Sequence, residues 1–128
     1  MQPVARLLIA LGSINALLAV LLGAFGAHAL RARISPAMLE VYHTASQYHF
    51  YHALGMLLVG VLAMQFQNVG ALRLSGLLML VGIVLFSGSL YVLAVTGVTW
   101  LGAITPLGGL AFIAAWIVLA AAVLRAQH

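Results

Sequence analysis

The sequence predicts an all-α fold: an integral membrane bundle of four transmembrane helices, forming a single domain over residues 1–128. Of the 128 residues, 66% are hydrophobic and only 5% are charged, whereas about a quarter of the residues of a soluble domain are charged. The apolar residues fall in separate blocks near the length of about 20 helical residues that crosses a bilayer core. These blocks predict spans at about 7–30, 45–66, 74–95 and 105–124.

Helix one is predicted between Arg6 and Arg31. Its apolar run is longer than the roughly 7 to 15 residues of a signal-peptide core, so we expect a retained helix. Small residues recur along it at spacings of three or four, which is typical of close helix packing. Whether this face packs within the bundle or between subunits stays open. The predicted packing residues, including those of helices three and four, are Gly12, Ala16, Gly23, Gly26, Gly88, Gly108 and Gly109.

Helix two has a short apolar part. Ser35 is a good N-cap and Pro36 suits the first helical position, so a helix should begin there. The purely apolar part from Ala53 to Met64 covers only about 18 Å at 1.5 Å per residue, less than the hydrocarbon thickness. The polar stretch from about Ala45 should therefore enter the membrane, which makes it a polar, amphipathic N-terminal extension of helix two.

Helices three and four have clearer limits. Helix three carries a Ser-Gly-Ser sequence and a tyrosine in its second half. Helix four should begin with Thr105 as N-cap and Pro106 at the first helical position. The apolar stretch 98–104 between them is expected to be interfacial or partly re-entrant. Four spans place both termini on one side, and the arginine distribution weakly favours a cytoplasmic location for them, in a bacterial inner (plasma) membrane.

Composition excludes several classes of function. The five arginines are scattered and form no dense basic patch, so no nucleic-acid partner is expected. With no cysteine and one acidic residue, Glu40, the chain has neither a thiolate site nor the carboxylates of a di-iron site. No catalytic constellation is recognisable, so we expect no catalytic residues and no enzymatic activity. The expected partners are the lipid bilayer and a possible homo-oligomer or membrane protein.

Most polar side chains should meet at one membrane face, the face of the first and third loops. Ionisable side chains in membrane helices are functional candidates by default. The predicted polar pocket consists of His28, Gln47, Tyr48, His52, Ser87, Ser89, Tyr91 and Thr105. A second group is expected at the membrane interface, where amphipathic rings are enriched, namely Glu40, His43, His49 and Trp100.

Three roles stay open for this pocket. Its histidines could form interhelical hydrogen bonds, could handle protons or a small solute in a non-enzymatic membrane protein, or could serve an accessory or assembly role. No cofactor is expected. The alternative is a redox subunit in which His28 and His52 bind haem, a divalent metal or a quinone.

Several motifs in order along the chain resemble one protein family. They are the run Gly23–Leu30, Thr44-Ala45 with Tyr48, His52-Ala53, the run Phe86–Tyr91, and the run Thr105–Gly109 with Trp116. The family is the domain of unknown function 423, and the resemblance covers nearly the whole chain. It implies a small bacterial-type inner-membrane protein of four helices and carries no activity or substrate.

Overall fold

The computed structural model describes residues 1–126, and the regular structure in that range is entirely helical. The helices are α1 (Pro3–Leu30, with a wide π turn over Gly26–Leu30), α2 (Pro36–Ala63), α3 (Gly70–Thr96, with a π turn over Ile83–Ser87) and α4 (Thr105–Arg125). A 3-10 segment, Thr99–Ala103, precedes α4. The all-α prediction is confirmed.

Three helical segments are long and apolar enough to cross a membrane: Pro3–Leu30, Gly70–Thr96 and Thr99–Arg125. The fourth helix, α2, has 28 residues and carries the polar stretch in its first half. Length and composition therefore identify three candidate spans within residues 1–126, and α2 is an additional helix packed among them.

The two predicted N-caps have different outcomes. The Ser35 hydroxyl accepts a hydrogen bond from the Met38 N–H at 3.2 Å, so the predicted cap of α2 is confirmed. Thr105 is the first residue of α4 rather than its N-cap, and no side chain caps this end. The reason is that Ile104 already has helical backbone angles, and its carbonyl accepts from Leu107 N–H at 3.0 Å.

The helices pack mainly in two pairs, α1 with α2 and α3 with α4, and α2 also contacts α3. The half of the bundle nearest the termini holds the main apolar core. Leu8, Met56, Val59, Leu72 and Met79 are fully buried there. This half contains few polar side chains, whereas the half near the first and third loops contains most of them.

The small residues of α1 pack inside the bundle, against α2. A Cβ added at Gly12 would lie 2.8 Å from the Ala53 carbonyl oxygen, and one at Gly23 would lie 3.2 Å from Ser46 Oγ. Gly26 lies directly against the Tyr42 ring.

The other predicted packing residues differ among themselves. Gly108 meets the backbone of Phe86, so α4 and α3 approach closely at that point. Gly88 and Gly109 have no such contact, because the nearest atoms to an added Cβ lie 3.8 Å and 3.9 Å away. Ala16 is half-buried.

Candidate functional site

The two faces of α2 separate its polar residues. The face turned into the bundle carries Tyr42, Ala45, His49, His52 and Met56, all of them buried. These positions follow one another at three or four residues, the spacing that keeps side chains on one face of a helix. The outward face is exposed and carries the stripe Glu40, His43, Gln47 and Tyr51. The inward face therefore holds two histidines, one helical turn apart.

His49 joins three helices through hydrogen bonds at both ring nitrogens. Its Nε2 lies 3.0 Å from Asn15 Oδ1 on α1, and its Nδ1 lies 3.0 Å from the Tyr91 hydroxyl on α3. The Asn15 amide nitrogen donates to the Leu11 carbonyl at 2.9 Å, so its Oδ1 must be the atom that accepts from His49. In neutral His49 the proton is therefore on Nε2, and Nδ1 accepts from Tyr91.

His52 is bonded in a different way. The Trp116 indole N–H of α4 donates to its Nε2 at 3.0 Å, and its Nδ1–H donates to the Tyr48 carbonyl at 2.8 Å. The ring also stacks on Phe112, with 3.5 Å between centroids and 9° between planes. Because an indole N–H can only donate, the Nε2 lone pair is engaged and the tautomer is fixed. The bonds hold His52 as a neutral ring between α2 and α4.

Serine hydroxyls supply further bonds between helices. Ser87 donates to the Ala45 carbonyl at 2.8 Å, and Ser75 donates to the Ala115 carbonyl at 2.8 Å. Ser89 and Thr105 share a hydrogen bond of 2.7 Å. Within residues 1–126, each buried side-chain polar atom has a partner. The polar interior is therefore fully satisfied, as expected of a well-packed native core.

The predicted pocket is only partly assembled. His52, Ser87, Ser89, Tyr91 and Thr105 turn toward the bundle interior and contact other helices. His28, Gln47 and Tyr48 are exposed, with His28 in the π turn that ends α1. Glu40, His43 and Trp100, expected at the interface, lie on the outer surface.

The structure differs from the sequence-based expectation at His49. We expected an interfacial ring, but His49 is only 4% exposed and lies near the middle of α2. The reason is its partner: Asn15, a lone amide in the middle of an apolar helix, provides the acceptor that lets the ring be buried. The site residues predicted from the sequence did not include Asn15, although an isolated amide at that depth was a usable signal.

A groove on the outer surface opens between α1 and α2, with a volume of about 310 Å³. Val20 and Gly23 of α1 and His43, Ser46 and Gln47 of α2 contribute to its lining. The Ser46 side chain also lies beside the Tyr91 hydroxyl. Ser46 therefore brings the groove next to the hydrogen-bonded residues of the interior.

The network of hydrogen bonds around His49 ends at Asn15. Toward the termini, the described interior is filled by fully buried apolar side chains such as Leu8, Met56 and Met79. Ser75 is a polar exception, and its hydroxyl is engaged by the Ala115 carbonyl. Within the described residues, the network around His49 therefore extends from the end of the bundle near the first and third loops to its middle, and not to the end that holds the termini.

Metal ligation would require rearrangement of these groups. Among residues 1–126, no three His, Cys, Asp or Glu side chains lie close enough together to hold a metal ion. Ligation by His52 would break its hydrogen bond to Trp116 or to Tyr48, because both ring nitrogens are engaged. His28, the proposed partner ligand, is exposed at the end of α1.

Comparison with known proteins identifies the family. The family described as "Protein of unknown function (DUF423)" matches residues 22–109. The UPF0382 membrane protein YwdK of Bacillus subtilis is 55% identical over 120 residues, covering 94% of this chain and 98% of the relative. A UPF0382 membrane protein of Staphylococcus epidermidis is 46% identical over 121 residues, covering 94% and 97%. No solved structure matches the chain. The chain therefore belongs to the DUF423 family and is a membrane protein.

Proposed function

We propose that this chain is a non-enzymatic accessory protein of the bacterial inner membrane that crosses the bilayer four times and responds to protons through His49. The length of α2 supports its role as a fourth span, because 28 residues extend about 42 Å at 1.5 Å per residue. Its ionisable inward residues are covered by the other helices rather than by lipid. The arginine distribution supports cytoplasmic termini.

The observation that carries the proposal is the pair of hydrogen bonds at the two ring nitrogens of His49. Tyr91 donates to His49 Nδ1, and Ser46, which lines the groove, lies beside Tyr91. A proton that reaches the Ser46 hydroxyl can displace that hydroxyl's own proton onto Tyr91. Tyr91 then passes its proton to Nδ1, and His49 becomes an imidazolium. Histidine is the side chain whose charge ordinarily changes between about pH 5 and 8.

A proton on His49 would disturb the contacts between three helices. Both ring nitrogens would then be donors, so Tyr91 would have to accept rather than donate. The charge would also lie in an apolar interior without a counter-ion, because Glu40, the sole acidic residue of the sequence, is exposed on the opposite face of α2. We infer that α1 and α3 shift relative to α2 when the proton binds.

Sensing fits the arrangement better than conduction. A proton path across the membrane needs polar groups or water on both sides of its centre, and the described interior beyond Asn15 is apolar and packed. The proton would therefore return by the route through which it entered. We expect liposomes containing the protein to take up protons no faster than empty liposomes. Measurable proton flux would favour a transporter and contradict this proposal.

The proposal is tested by a distance between helices. Spin labels are placed on Leu21→Cys of α1 and Val92→Cys of α3, two exposed positions in a chain that has no native cysteine. Helix shifts in switching proteins are of the order of 1–2 Å. We expect the distance distribution to shift by about 2 Å between pH 8 and pH 5.

Substitutions at three positions identify the group responsible. His49→Gln and Tyr91→Phe should each abolish the shift, because one removes the proton acceptor and the other removes the hydroxyl that joins the ring to α3. His43→Gln is the matched control, since His43 lies on the outer face of the same helix and lines the groove. A shift that persists in His49→Gln, or that disappears only in His43→Gln, would contradict the proposal.

A further inference from the structure

A second cavity, separate from the His49 network, lies at the end of the bundle that holds the termini. It has a volume of about 900 Å³ and is bounded by the loop between α2 and α3 and by the last two turns of α4. One end is polar, with the side chains of Gln65, Gln67, Asn68 and Arg125. The other is an apolar wall containing Leu74, Val118, Ala121 and Ala122.

The polar end offers hydrogen-bond donors and a positive charge. Asn68 Oδ1 accepts from the Gly70 N–H at 3.2 Å, which leaves the Asn68 amide nitrogen free to donate to a ligand. Arg125 presents a guanidinium, the group that best matches phosphate oxygens. Glu40, the sole acidic side chain in the sequence, precedes the middle of α2 and lies toward the opposite end of the bundle. An anion with several acceptor oxygens fits this end.

The apolar wall indicates a ligand that has an apolar part in addition to its anionic group. From Arg125 back to Val118 the cavity follows α4 for about 10 Å at 1.5 Å per residue. Arg125 lies in the last turn of an apolar helix long enough to span a membrane, where basic side chains reach the lipid headgroups. The wall beneath it then lies at the depth of the acyl chains. Small side chains at Ala121 and Ala122 keep this surface open.

We propose that this cavity binds one anionic phospholipid, with its phosphodiester on Arg125 and the loop amides and an acyl chain along the wall of α3 and α4. The proposal depends on the membrane location of α3 and α4 and is independent of proton binding at His49. Failure of one proposal therefore leaves the other standing.

The test is native mass spectrometry of the detergent-solubilised full chain, titrated with phosphatidylglycerol and, separately, with phosphatidylcholine of the same acyl chains. We expect one phosphatidylglycerol to be retained per chain at concentrations at which phosphatidylcholine is not. Glycerophosphoglycerol, which is the headgroup without acyl chains, should not be retained. Equal retention of the two lipids, or retention of the headgroup alone, would overturn the proposal.

Variants locate the site. Arg125→Gln should weaken phosphatidylglycerol binding about fivefold, the effect of one basic residue at an anionic headgroup. Arg31→Gln, at the opposite end of the bundle and also exposed, is the control and should bind as the unaltered chain does. Ala121→Leu should weaken binding without a change of charge, and lipids with shorter chains give the same test without a substitution. An unaffected Arg125→Gln, or an equal loss in Arg31→Gln, would overturn the assignment.

Discussion

His49 and His52 lie one turn apart on the same face of α2, are almost equally buried, and differ in what their partners can do. Trp116 can only donate, so the bond to His52 exists for one state of the ring alone. The tyrosine hydroxyl beside His49 can donate or accept, so a partner remains available after the ring gains a proton.

The difference shows that burial alone does not make a histidine a candidate proton acceptor. His52 is held by an indole, a backbone carbonyl and a stacked phenyl ring, which is an arrangement for stability. His49 is held by Asn15 and by Tyr91, and Tyr91 lies beside Ser46 in the wall of the groove. The chemistry of the partners is therefore the basis on which we propose packing for His52 and proton binding for His49.

The largest expected effect is that of His52→Ala. This change removes the ring stacked on Phe112 and leaves the Trp116 N–H without an acceptor. We expect a loss of about 2 to 4 kcal/mol in the free energy of unfolding, the range for truncating a large buried side chain. Unfolding in a mixture of dodecyl sulfate and mild detergent measures it. A pH-dependent helix shift that remains intact in the folded variant would support the division of roles, and its loss would contradict it.

A smaller effect on stability is expected for Trp116→Phe, which tests the hydrogen bond between Trp116 and His52. The aromatic ring is kept, but the donor to His52 Nε2 is removed, at a cost of about 1 kcal/mol for one interhelical hydrogen bond in a membrane protein. His52 then has a free lone pair and should become a second proton acceptor. Histidine ¹⁵N spectra recorded between pH 8 and 5 should show His52 titrating in this variant only. An unchanged His52 signal would mean that the indole bond does not lock the ring.

The helices were predictable because their signals are strong and local. Long apolar runs set α1, α3 and α4, and Ser35-Pro36 set the start of α2. The cap of α4 was misplaced because the 3-10 segment before it already gives Ile104 helical angles. That segment has no comparable local signature.

The site was harder to predict because helical rotation and partner choice are tertiary properties. At 100° per residue His49 lies opposite the stripe of Glu40, His43 and Gln47, but a helical wheel does not say which side faces the bundle. The packing of Gly12 against Ala53 helps to fix that orientation, and it needs both helices. For the same reason His28, adjacent to small residues in the sequence, is exposed in the structure.

The smallest effect is expected for Asn15→Leu, which tests which contact of His49 matters. The change keeps the branched shape of the side chain but removes the acceptor for His49 Nε2–H, so we expect a loss of about 0.6 to 1 kcal/mol in the free energy of unfolding. Tyr91 still donates to Nδ1, so proton binding and the shift between α1 and α3 labels should survive, with a smaller movement of α1. Spin labels on α2 and α3 should report the full pH-dependent change in the distance between these two helices. If Asn15→Leu abolishes the response while Tyr91→Phe preserves it, the responsive contact lies between α1 and α2, and the route through Ser46 and Tyr91 is wrong.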